Sequence, residues 1–120
     1  MTRPRFPRSV FERGTEPDAR FTLANERTFL AWIRTSLALV AGGVALEVLG
    51  LDLNSAFRLS AALVLVTAGV LTPAMAWWGW AATERALRLH EPLPASRMAP
   101  LLGVAVTSAG VLILLAILMP

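Results

Sequence analysis

Three long apolar runs, separated by polar stretches, outline the chain. The first extends from about Phe29 to Leu49, the second from Leu59 to about Ala82, the third from Leu101 to Met119. Each approaches or exceeds the ~20 apolar residues that a helix needs to cross a bilayer. No proline interrupts the chain between Thr22 and Leu49, and Thr22 is a candidate N-cap. This predicts a first helix of ~40 Å that starts in the membrane interface and continues through the hydrocarbon. Gly50, Asp52 and Asn54 predict a short turn. Pro73 falls inside the second run, where a membrane helix tolerates a kink. The stretch Glu84 to Pro100, with three arginines, His90 and three prolines, reads as a polar segment leading to the third span. The fold class predicted is all-α: a three-transmembrane-helix bundle with an interfacial N-terminal extension of helix 1, assembled as an oligomer.

Composition narrows the function classes. Of 120 residues, 56% are hydrophobic and 16% charged, with a mean hydropathy of +0.62. A soluble domain carries about 25% charged residues, so a soluble globular enzyme is excluded. Residues 1–20 contain three prolines, one glycine, five arginines and three acids, the composition of a flexible basic arm. Residues 21–120 form the membrane domain. The first span has no convincing cleavage site behind it and is expected to stay uncleaved. Cysteine, lysine and tyrosine are all absent, which removes disulfides, thiolate metal sites and thiol nucleophiles.

All eleven basic residues are arginines, and they are sorted along the chain. Ten lie in the head through Arg34 or between spans two and three; only Arg58 lies between spans one and two. This asymmetry predicts a multi-pass protein of the cytoplasmic membrane, with the N-terminus inside and the C-terminus outside. Trp32, Trp77, Trp78 and Trp80 fall at the same predicted interface. A pI of 11.3 sorted in this way does not indicate nucleic-acid binding.

Residues 20–34, RFTLANERTFLAWIR, carry the most information. On a helix, Arg20, Arg27 and Arg34 recur every seventh residue and drift only ~20° per step, so they share one face. Leu23, Ala24, Leu30 and Ala31 flank them, and Ala38, Ala41, Gly42 and Ala45 continue the stripe inward. Phe21, Asn25, Phe29, Trp32 and Ser36 project from the opposite side. Two readings of the basic ladder stand. It is an anion site, or it is a set of topology-setting arginines that snorkel to lipid phosphate above a close-packing seam. Arg34 lies about one turn inside the apolar boundary, where charges tend to be functional.

The run Leu23-Ala24-Asn25-Glu26-Arg27-Thr28-Phe29-Leu30-Ala31-Trp32-Ile33-Arg34-Thr35 resembles the opening motif of the YidH-type small membrane proteins, a bacterial family of unknown function. The resemblance spans about residues 18–119 and includes Arg97 before the last span. Its core, Ala24 to Leu30, is also similar to the membrane domain of the eukaryotic vacuolar transporter chaperone complex. That complex makes polyphosphate and passes it through an oligomeric channel with a basic entry. By position, Arg20 and Arg27 match basic residues of that entry; Arg34 belongs to the bacterial pattern. The chain has only Arg85 and Arg88 where the chaperone family has a denser cluster, and it lacks the polymerase domain. Polyphosphate synthesis is not implied.

Asn25 and Glu26 beside Arg27 read either as helix-start hydrogen bonding and charge balance or as ligand positioning. Glu47 and Arg58 can bridge spans one and two. His90 and Glu91 alone do not make a metal site, and no catalytic set or nucleotide fingerprint is present. No cofactor is implied. The candidate ligand-binding residues are thus Arg20, Asn25, Glu26, Arg27, Arg34 and Arg97. Two function classes follow. One is a homo-oligomeric bundle whose arginine-ringed cytoplasmic mouth binds or conducts an anion such as phosphate or polyphosphate. The other is a non-transporting module that holds anionic membrane lipids or a partner protein. Three helices cannot enclose a wide polar path alone, so any conduit lies between protomers.

Overall fold

A computed structural model describes residues 4–49 and 52–119. Its elements are a single helical turn, α1 (Arg8–Phe11), followed by α2 (Ala19–Val48), α3 (Ser55–Leu89) and α4 (Met98–Leu118). All described residues are helix or connecting chain. The last three helices are long and apolar enough to cross a membrane.

Each start and stop has a local cause. Asp18, not Thr22, caps α2: its Oδ1 accepts from the Arg20 backbone N–H at 2.9 Å. Asn54 caps α3 by accepting from the amides of Ala56 and Phe57 at 3.1 and 3.3 Å. At the other end of α3, His90 adopts φ 55°, and the Glu91 amide bonds back to the Ala86 carbonyl at 2.9 Å. The helix therefore runs seven residues past the predicted span end at Ala82, through the polar Glu84, Arg85 and Arg88.

With 30, 35 and 21 residues, the helices measure ~45, ~52 and ~31 Å. Only α4 matches the ~30 Å hydrocarbon core. At one end the three are tied nearly level: the Asn54 amide donates to the Ala116 carbonyl at 3.2 Å, and Arg58 pairs with Glu47 at 3.3 Å. The surplus length of α2 and α3 therefore projects beyond α4 at the opposite, arginine-rich end. Residues 90–97 return along this projection to reach the start of α4.

Helix α3 is the middle element, with α2 and α4 packed along it. Leu39, Ala68 and Leu102, one from each helix, form the buried core, with Trp32, Leu65 and Ala105 against them. The buried side of α2 runs Asn25, Phe29, Trp32, Ser36, Leu39, Gly43, a spacing of three and four that keeps one face on its partner. Where α2 crosses α3, small residues let the backbones close up. A Cβ on Gly43 would meet the Ala62 carbonyl oxygen at 2.9 Å, and one on Gly69 would meet the Ser36 carbonyl oxygen at 3.0 Å. Lipid offers no hydrophobic push between helices, so such contact distances hold the pair together.

Pro73 shows how polar groups are satisfied here. Lacking an N–H, it leaves the Gly69 carbonyl, four residues back, without its helical donor. The buried Ser36 hydroxyl on α2 donates to that carbonyl instead. Helix packing replaces the hydrogen bond that proline removed.

Candidate functional site

The projecting end of the α2–α3 pair is built around two buried charged side chains on α3. Glu84 is 1% exposed. Its carboxylate accepts from Asn25 Nδ2 at 3.2 Å and faces Thr22 Oγ1 at 3.4 Å, both from α2. Asn25 Nδ2 also donates to the Trp80 carbonyl at 3.0 Å. One turn further on, Arg88 is 5% exposed. Its guanidinium donates to the carbonyls of Arg13 and Phe11 at 2.7 and 2.9 Å and to Glu16 Oε1 at 2.9 Å.

These bonds draw the head onto α3. Gly14 has φ +57°, and a Cβ there would overlap the Arg88 carbonyl oxygen, so only glycine fits. The Thr15 amide donates to that same oxygen at 3.1 Å. Phe6 stacks on Trp77 and Phe11 tilts against Trp80, with centroids 6.1 and 6.2 Å apart. Composition predicts a flexible arm over residues 1–20; the described part of it, from Pro4 onward, lies against α3 through these contacts. Arg5 and Arg88 both bond Glu16, in that order of effect, and hold its carboxyl below the ordinary value of 4.5.

The predicted site residues divide between separate surfaces. Arg20 is exposed but paired with Asp18 at 2.9 Å; its hydrogen bonds, side-chain first, hold the Asp18 carboxyl low. Arg27 and Arg34 stand exposed on the outward face of α2, without an ion-pair partner among the described residues. Glu26 is also exposed and makes no described contact with them. Asn25 faces the other way and is committed to Glu84 and Trp80. Ala38 and Ala41 continue the outward face, whereas Gly42 and Ala45 are half-buried, with Gly42 turned toward Leu65.

Asn25 and Arg97 line the same cavity, of about 680 Å³, just beyond the start of α4. Phe29, Trp32, Met75, Trp78 and Met98 give it apolar walls, and Thr28, Thr83 and Ser96 add hydroxyls. Sequence reading missed Glu84, Arg88 and Gly14 as organising residues. A helical spacing of four between Glu84 and Arg88, continuing the Trp77 and Trp80 face, was the available signal.

A long hairpin of membrane-spanning helices, a third span beside it and a polar collar at one end define a small integral membrane protein. The chain matches the model of the Domain of unknown function (DUF202) over residues 20–86, more than half its length, and belongs to that family. It is of the YidH type. It is 46% identical over 85 residues to the inner membrane protein YidH of Escherichia coli K12, covering 68% of this chain and 71% of that protein. An uncharacterized protein of Mycobacterium tuberculosis H37Rv is 45% identical over 100 residues, 82% of each chain. No solved structure matches.

Proposed function

We propose that this is an inner-membrane protein that self-associates through the outward face of α2 and binds a phosphate-rich anion with Arg27 and Arg34. The observation that carries the reading is this face itself. It presents two exposed guanidinium groups, with no ion-pair partner among the described residues, above exposed Ala38 and Ala41, while the opposite face of the same helix is consumed by α3. Small residues permit close approach of a second copy. Repetition around a symmetric assembly would turn one pair of arginines into a ring. Arginine suits the task because its planar fork bonds phosphate in two places and stays charged.

Arg20 contributes less in this reading, because an anion must first displace Asp18. Arginine asymmetry supports placing the ring on the cytoplasmic side. Short polyphosphate, suggested by the resemblance of Ala24 to Leu30 to the vacuolar chaperone domain, is the probe. Purified protein should bind it in a salt-sensitive manner, and Arg27→Ala with Arg34→Ala should abolish the signal. Arg20→Ala should weaken it less. Absence of binding above a lipid-only control, or equal binding by the double variant, rejects the reading. Anion flux in proteoliposomes then separates conduction from binding.

A further inference from the structure

We infer that the cavity between α2, α3 and residues 94–97 is a binding site for one anionic phospholipid, with its phosphate at Arg97 and an acyl chain along α3. This site is separate from the Arg27 and Arg34 face, and neither residue lines it.

The first support is the chemistry of the walls. Trp78, 75% exposed, and Met75 supply apolar surface, while Arg97 supplies a cation and Ser96 a hydroxyl at the rim. A head that is anionic on a body that is apolar matches this set; a free anion would leave most of the lining unmatched. Its volume falls in the ordinary range for small-molecule sites, about 300–1,000 Å³.

Depth is the second support. Arg97 immediately precedes α4, whose ~31 Å just spans the hydrocarbon core. The guanidinium therefore lies at the level of lipid phosphate, where tryptophan rings also settle.

The third support is a track for the chain. A second groove, of about 350 Å³, is lined by Leu63, Thr67 and Leu71 of α3 and Leu101 and Ala105 of α4. Leu63, Thr67, Leu71, Ala74 and Trp78 follow one another at helical spacing, so the two grooves share a flank of α3. From Ala74 to Leu63 is ~16 Å along the helix, and one leaflet is about half of the ~30 Å core. The groove is one acyl chain deep.

The test is native mass spectrometry of the full chain in mild detergent, titrated with phosphatidylglycerol or phosphatidylcholine. Wild-type protein should retain phosphatidylglycerol about five- to tenfold better, the worth of one arginine contact near the surface. Arg97→Ala should bring the ratio near unity, and Arg97→Lys should restore part of it. Gly79→Leu is the second variant. Gly79 lines the cavity and a Cβ there meets nothing within 4 Å, so the site has room for a side chain to begin and the added leucine takes up cavity space. It should reduce retention of both lipids. Arg27→Ala should leave retention unchanged, which separates this result from the fate of the polyanion reading. Equal retention of the two lipids by wild type, or an unaltered ratio in Arg97→Ala, overturns the proposal. So does displacement of phosphatidylglycerol by millimolar inorganic phosphate, which would make the site one for free anion. A change of oligomer mass in Gly79→Leu without loss of lipid would make it a subunit contact and also reject the proposal.

Discussion

Both faces of α2 carry polar residues and put them to opposite uses. On the inner face, Asn25 and Ser36 are buried, and each supplies a donor that α3 needs: Asn25 for the Glu84 carboxylate, Ser36 for the carbonyl freed by Pro73. On the outer face, Arg27 and Arg34 are exposed and have no ion-pair partner among the described residues. A polar residue in a membrane helix is therefore not a functional residue by default. Its partner decides, and the partner here is settled by which face meets α3.

The largest test of that division is steric. Gly69→Leu or Gly43→Leu drives a side chain into the backbone of the facing helix and should cost about 3 kcal/mol, the upper end for overpacking. The expected readout is loss of the monodisperse protein and a collapse of its thermal transition in detergent. Asn25→Ala should follow, at about 2–4 kcal/mol, because it leaves the buried Glu84 with only the distant Thr22 hydroxyl. Ser36→Ala should cost about 1–2 kcal/mol by leaving the Gly69 carbonyl unsatisfied.

The docked head gives a gentler test, read by pH. Glu16 is held below its ordinary value of 4.5 by Arg5 and then Arg88. The folded pKa is the lower one, so its contribution is full above the unfolded value and is lost as pH falls through the folded value. The protection factor of the Thr15 amide, which is its exchange corrected for the intrinsic pH dependence, should therefore fall below about pH 4.5 and stay level from neutral pH upward. Gly14→Ala should lower that protection at every pH. Smallest in stability is Ala41→Leu on the outer face, expected within about 0.5 kcal/mol of wild type for the protomer. Its effect should appear only as a shift in oligomer mass. A protomer destabilised as strongly as by Gly43→Leu would erase the distinction between the faces.

Hydropathy alone located the three spans, because a bilayer admits few alternatives to a long apolar helix. Helical projection also separated the arginine face from the face of Asn25, Phe29, Trp32 and Ser36. It could not say which of them meets α3, since both are partly apolar. The tail of α3 was hidden for a different reason. Glu84, Arg85 and Arg88 read as a solvated loop until Asn25, Glu16 and the carbonyls of Phe11 and Arg13 are known to lie beside them. Those partners are 59 to 77 residues away. The Asp18 cap was legible in principle. It loses to Thr22 only if the helix is taken to start where hydrophobicity does.

The attachment of the head to Arg88 also has a consequence during biosynthesis. The Arg13 carbonyl and its donor, Arg88, are separated by 75 residues. At ~5–20 residues per second, a ribosome needs ~4–15 s to cover that interval. For most of it, Phe6 and Phe11 lack the Trp77 and Trp80 rings, and Glu16 has Arg5 but not yet Arg88, while α2 and most of α3 are being made. The head of the nascent chain thus stays undocked for seconds and closes only once the end of α3 has been made. Docking marks a finished hairpin.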